Sequence, residues 1–317
     1  MIKCYVRDEN GITLIDTMSD LDEKMIANVI LVDMLTPAHN EIVFVENNFD
    51  IKFPTKQETE EIEISSRYWE ESDRIEINSF FLVNSAENSH NETVSFILTK
   101  KLMISIRYAS LYTFDEFNRK FFAAPKQFES GYDIFCQILD IRIDADADII
   151  EKLSRDITRL RKHVFTDYTN DDEEILERIS SLEDLNMQLR ENLNDKQRIL
   201  SAFLKSTKYK GELKHDVVVM LKDIKSLTDY TDFNFERLEY LQNIFVGMLS
   251  IEQNKVIKMF TIMNVIFLPP TLIASIYGMN FEFMPELTWK YGYLASIFLM
   301  IGSSILPLYV FKRKGWI

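Results

Sequence analysis

A chain of 317 residues is long enough for one large domain and something more, and its 46% hydrophobic content is ordinary for a soluble protein. A net charge of −14 argues against nucleic acid as a partner, because phosphate binding needs concentrated lysine and arginine, and it favours cations nearby. Two cysteines, Cys4 and Cys136, without a C-x-x-C, and four scattered histidines (His39, His90, His163, His215), argue against a disulfide framework or a zinc site.

In chain order, residues 1–140 mix short runs rich in Val, Ile and Phe with polar connections. Strands are predicted at Ile2–Arg7, Val29–Met34, Ile42–Glu46, Ile75–Val83, Thr93–Leu98 and Leu102–Tyr108. Helices are predicted at Thr55–Ile62 and Thr113–Phe122, giving a compact α/β or α+β domain. The N-terminus has no apolar signal-like stretch, so the start of the chain is expected in the cytosol.

Past Gly131 the texture changes. No proline occurs between Pro125 and Pro269, and apolar residues recur every three or four positions, as in Ile149, Leu153, Ile157, Leu160, Val164 and again in Ile175, Ile179, Leu182, Leu189, Leu193. That is sustained helical periodicity, with breaks at Thr166–Asp172 and Thr207–Gly211. Three helices follow, at about 133–165, 173–206 and 213 onward, and residues 141–255 form a helical stalk region. Asp144, Asp146 and Asp148 lack the glycine and glutamate that a calcium loop needs (Ile149 and Arg155 stand there) and read as helix-start acids, like the run Asp171–Glu174.

Residues 256–317 hold five basic and two acidic residues, so this tail is +3 while residues 1–255 carry −17. From Met259 to Tyr277 about 19 residues pass without a charge, spanning roughly 29 Å as helix, close to the thickness of a bilayer core. A second uncharged run, Tyr291–Phe311, follows after a short loop. The predicted segments are a first membrane helix at 256–277, a loop at 278–290, a second helix at 291–311 and a basic tail at 312–317. Lys255 and Lys258 before the first helix, and Lys312, Arg313 and Lys314 after the second, place both ends in the cytoplasm and the loop outside. Trp289, Tyr291, Tyr293 and Trp316 suit the membrane interface.

The first membrane helix carries Asn254, Thr261, Asn264, Thr271 and Ser275, within about a 50° sector at 3.5 residues per turn. A polar stripe in a membrane faces other helices or water, and spacing alone leaves helix–helix contact and a pore equally open. Ile257 and Leu268 share that face and would form apolar constrictions. Pro269 and Pro270 predict a kink and free backbone carbonyls that neighbours must satisfy. The second run, with few polar atoms (Ser296, Ser303, Ser304), reads as an outer, lipid-facing helix.

The segment Tyr277-Gly278-Met279-Asn280-Phe281 at the outer end of the first helix resembles the signature of the CorA family of Mg²⁺ channels. Met284-Pro285-Glu286-Leu287, Trp289-Lys290-Tyr291-Gly292-Tyr293 and Phe311-Lys312-Arg313-Lys314-Gly315-Trp316 extend the resemblance over about residues 240–317. Val29–Pro37 and Thr93–Arg107 look like strands of the family's cytoplasmic domain. The resemblance implies a funnel-shaped homopentamer in the plasma (inner) membrane. Five first helices would line the pore with Asn254, Ile257, Thr261, Asn264, Leu268, Thr271 and Ser275, and Gly278, Met279 and Asn280 would form the selectivity filter. Neutral amide oxygens of Asn280 would hold hydrated Mg²⁺ without stripping its water, Met279 would pack behind them, and Gly278 would permit the turn that ends the helix. Glu282 and Glu286 would attract cations by their field, and Asp216 and Asp223, by position, would bind regulatory Mg²⁺. The expected activity is influx of Mg²⁺, with Co²⁺ and Ni²⁺, gated by intracellular Mg²⁺ and needing no cofactor beyond the ion itself. The alternatives are a proton-coupled transporter of Zn²⁺ or another transition metal, and a non-transporting membrane scaffold. No phosphate loop, nucleophile–base pair or zinc spacing points to an enzyme.

Overall fold

The computed structural model describes residues 1–8, 11–53, 67–84, 89–166, 172–209, 211–280, 282 and 284–315. The expected helix at Thr55–Ile62, most of the Thr166–Asp172 break, Phe281 and Trp316 lie outside them. The chain divides into two compact units, Met1–Leu241 and Gln242–Ile317.

The first unit is built on a seven-stranded mixed sheet: β1 (Ile2–Asp8), β2 (Gly11–Ile15), β3 (Val29–Leu35), β4 (Tyr68–Glu70), β5 (Ile75–Asn84), β6 (Ser89–Leu98) and β7 (Met103–Arg107), in the order β2-β1-β3-β7-β6-β5-β4. Only β3 and β7 run parallel. The helices of this unit are α1 (Glu23–Ile26), α2 (His39–Phe49), α3 (Tyr112–Ala123), α4 (Gly131–Thr166) and α5 (Asp172–Lys205). The start of α6 (Gly211–Tyr277) belongs here too, and that helix continues into the second unit. The expected boundary at residue 140 falls inside α4 rather than at a break.

Strand alternation divides the core between two faces. Ile2, Cys4, Val6, Val32, Met34, Ile104 and Ile106 pack with Val45 of α2. The other face carries an aromatic layer: Phe96 lies 5.2 Å from Phe135 of α4 and 6.5 Å from Phe114 of α3, and Tyr5 lies 5.7 Å from Phe121. Asp33, in mid-strand and buried, is held bidentately by Arg107 (Nε 3.0 Å, Nη2 2.8 Å) and by Ser105 Oγ (3.0 Å). A buried carboxylate survives in a core only with such partners.

Four of the expected strands match closely, and Thr93–Leu98 extends back to Ser89. Ile42–Glu46 is helical instead, within α2. Its β-branched content suggested a strand, but Ile42, Val45 and Phe49 recur at helical spacing with Val45 fully buried. The Glu41 carboxylate also accepts the Ala38 N–H at 2.8 Å and the N-terminal ammonium at 3.1 Å, which fixes the helix start. Strands β2 and β4 and helix α1 were not anticipated; they are short, with little burial to imprint a pattern.

The edge of β5 shows why α4 and α5 hold the charges they do. Strand β4 pairs only with Ile75–Ile77, and Arg67 O accepts the next amide, Asn78 N–H, at 3.0 Å. Beyond that, helix side chains continue the ladder. Asp195 Oδ2 accepts Phe80 N–H (2.8 Å), Lys196 Nζ donates to Phe80 O (2.6 Å), and Arg142 Nη1 donates to Leu82 O (3.1 Å). Lys196 also donates to Asn192 Oδ1, and Asp146, wholly buried, pairs with Arg142 and stands 3.6 Å from Lys196 Nζ. So Asp146 is no helix-start acid; with Asp144 and Asp148 it lies in the middle of α4, the counter-ion of two buried cations. Asp172, Glu173 and Glu174 do occupy the first turn of α5, as expected.

Candidate permeation segment and acidic cleft

The second unit contains the apolar end of α6, a short 3₁₀ turn at Pro285–Thr288 and α7 (Gly292–Arg313). Both helices are long and apolar enough to cross a membrane.

From Met259 to Tyr277 the covered positions of α6 are Ile262, Val265, Ile266, Pro269, Pro270, Ile273 and Tyr277, all half-buried and recurring on one side of the helix. On α7 the half-buried positions include Gly292, Ala295, Ser296, Met300, Ser303, Ser304 and Pro307. Small residues on such a face let two membrane helices approach closely. The hydroxyl of Ser304 crosses between them, donating to Ile266 O at 3.0 Å. Ser303 and Ser304 thus belong to the helix–helix face rather than to a lipid-facing one.

Every member of the expected pore stripe, Asn254, Ile257, Thr261, Asn264, Leu268, Thr271 and Ser275, is exposed in the single chain. Thr261 and Thr271 turn their hydroxyls back onto their own helix, donating to Ile257 O (2.8 Å) and Phe267 O (2.6 Å). They present methyls and leave Asn254, Asn264 and Ser275 as the polar points of the stripe.

At the end of α6, Gly278 N–H donates to Ala274 O at 2.8 Å, still in helical register, and Met279 N–H to Ile276 O at 3.3 Å. The positive-φ residues of the chain do not include Gly278, so the expected glycine turn is not what ends the helix. The constraint is space: a Cβ there would stand 3.1 Å from Ala274 O. Met279, Asn280, Glu282 and Glu286 are all exposed. The loop is anchored by Gly292, where a Cβ would lie 2.6 Å from Glu286 O. Gly292→Ala is therefore expected to displace the Pro285–Thr288 turn and lower the thermal unfolding midpoint of the detergent-solubilised protein. Gly302→Ala, whose Cβ meets open space, should leave the midpoint unchanged.

In the first unit, a cavity of about 430 Å³ lies between the starts of α4 and α6. Asp133, Cys136, Asp140, His215 and Asp216 line it. Asp133 caps α4, accepting from Ser130 N–H (2.7 Å) and Oγ–H (2.8 Å). Partial desolvation first, then the charge of Asp144 and more weakly that of Asp216, hold the Asp140 carboxyl above its ordinary range, while Lys120 and Gln137 oppose the rise. Asp216 is thus brought together with Asp140, which periodicity alone did not single out; Asp223 is exposed and does not line the cavity. Among the described residues no group of three or more His, Cys, Asp or Glu is arranged around a metal position. Two carboxylates from different helices do suit Mg²⁺, which keeps most of its water and takes one or two such ligands.

An α+β unit, helices α4 to α6 and two terminal apolar helices joined by a short Gly-Met-Asn loop define a two-span membrane transporter class. The model of the CorA-like Mg²⁺ transporter proteins matches residues 27–313. The chain is 42% identical over 323 residues to the magnesium transport protein CorA of Wolinella succinogenes and 39% identical over 329 residues to that of Campylobacter jejuni, with 100% of each chain covered in both cases. Its fold matches the complete structure of the CorA magnesium transporter from Methanocaldococcus jannaschii at a TM-score of 0.81 and 19% identity, over 100% of this chain and 99% of that one. The chain belongs to the CorA family of Mg²⁺ transporters.

Proposed function

We propose that the chain assembles into a homopentameric channel that admits Mg²⁺, and with it Co²⁺ and Ni²⁺, down the membrane potential. Both termini lie in the cytoplasm of a plasma (inner) membrane. The observation that carries this reading is the division of α6 from Ile262 to Tyr277: the stripe through Asn264, Leu268, Thr271 and Ser275 is uncovered, while the opposite side is covered at heptad-like spacing. A polar membrane face that its own chain leaves bare needs other copies or water. In the first unit, α6 also exposes Val219, Tyr230, Phe233 and Tyr240 within about an 80° sector, an apolar strip suited to helices of neighbouring copies.

In this reading Asn280 supplies the filter oxygens at the outer mouth, and Gly278 and Met279 shape it. Glu282 and Glu286 raise the local cation concentration. Ile257 and Leu268 form the narrow apolar points, where a closed pore would lose its water. Intracellular Mg²⁺ acts at the cleft of Asp140 and Asp216, where two carboxylates that repel each other when empty are drawn together by the ion. Asp223, outside the cleft, takes no part in that site.

The test is Mg²⁺ uptake into liposomes holding the purified full chain, with a membrane potential and with or without a proton gradient. Uptake that follows the potential and ignores the proton gradient is expected. Uptake of Zn²⁺ alone, and only under a proton gradient, would overturn the reading.

A further inference from the structure

The double proline of α6 creates a defect that the second membrane helix repairs. Pro270 has no N–H, so the carbonyl of Ile266, four residues earlier, loses its helical donor; Pro269 does the same to Val265. In hydrocarbon no water replaces that donor. Ser304 Oγ of α7 reaches Ile266 O at 3.0 Å. The same hydroxyl lies 3.3 Å from Met300 O, the usual resting place for a serine on its own helix. One proton cannot serve both carbonyls fully, and the shorter contact is the one across the helix pair. Ile266 and Ser304 both sit on the half-buried face between α6 and α7, so the bond is shielded. The next carbonyl, Phe267 O, accepts from Thr271 Oγ1 at 2.6 Å, so side-chain hydroxyls reach two consecutive carbonyls just before the prolines.

We propose that Ser304 is a positioning residue for the permeation path: it supplies the backbone donor that Pro270 withholds and so holds α6 on its course past the two prolines. The second helix is thereby part of the pore's geometry. This rests on the pore reading only for its effect on transport; the bond itself is tested independently.

The test is a double-mutant cycle in the full chain, read by thermal unfolding midpoint in detergent and by Mg²⁺ uptake into liposomes. Ser304→Ala is expected to lower the midpoint and cut uptake about tenfold, and Ser304→Thr to retain both. Pro270→Ala restores an N–H to Ile266 O, so in that background Ser304→Ala should change uptake by less than about twofold and leave the midpoint unchanged. Equal effects of Ser304→Ala in both backgrounds, or none in either, would overturn the proposal. A wild type that takes up no Mg²⁺ would sink the channel reading and still leave the midpoint cycle to decide the role of Ser304.

Discussion

Asn280→Ala is expected to reduce Mg²⁺ uptake by at least about a hundredfold while leaving assembly and thermal stability unchanged. Asn280 is exposed, follows the end of α6, and takes part in no described packing. Its removal should cost the fold little. On the proposed pentameric reading, what it removes is a ring of amide oxygens facing a hydrated dication. A hydrogen bond to a charged partner contributes roughly 1.5–3 kcal/mol, so losing even two raises the barrier by about 3–6 kcal/mol. Glu282→Gln and Glu286→Gln act through the field alone. They should lower uptake only a few-fold at low ionic strength and by less as salt is raised. The check is dye-reported Mg²⁺ influx for the three variants beside wild type, at two salt concentrations. Wild-type influx in Asn280→Ala would remove Asn280 from the filter.

The second large effect lies in the first unit. Asp146→Asn keeps the shape of the side chain and removes the charge that Arg142 and Lys196 share in a dry interior. Breaking a buried ion group by removing one member costs about 3–5 kcal/mol, because the remaining charges stay buried without compensation. Adding Lys196→Met to Asp146→Asn should recover part of that loss. The pair also has a pH signature. Burial pushes the Lys196 ammonium down to about 8, and the charge of Asp146 opposes that fall. Between that value and the unfolded one near 10.5, the unfolded chain binds more protons than the folded one, so Lys196's contribution to stability rises with pH across this window. Unfolding midpoints of wild type and Lys196→Met, compared from pH 7 to 10.5, should therefore shift in favour of the wild type as pH increases. A constant difference would mean that Lys196 does not titrate there.

Much of this was legible in the residues. The membrane helices announce themselves because a bilayer demands about twenty apolar residues, and Met259–Tyr277, with lysines before it, meets that demand. The Gly-Met-Asn loop was legible by resemblance. The long helices followed from repeats sustained over many turns. What escaped is instructive in each case. Ile42–Glu46 holds four apolar residues in a row, which a strand and a buried helix share, and the deciding Glu41 cap contact reaches across to Met1. Asp146 read as one of three helix-start acids because its partners, Arg142 and Lys196, meet it only once α4 and α5 pack. Asp140 joins Asp216 for the same reason, 76 residues apart along the chain. Ser304 read as an ordinary serine in an apolar run. Its partner is a backbone carbonyl, and the only hint was that Pro270 had to leave one wanting.

The stitched edge of β5 also sets an order of events during synthesis. Phe80 leaves the ribosome more than a hundred residues before its partners Asp195 and Lys196. At roughly 5–20 residues per second, the edge stands open for something like 6–25 seconds on every nascent chain. During that interval it offers a free strand margin to any neighbour on the same messenger. The helix that closes it arrives before Met259, so the margin is sealed before the first apolar span calls for the insertion machinery. Slowing translation between Asn84 and Lys196 lengthens the exposure; slowing it after Lys205 does not.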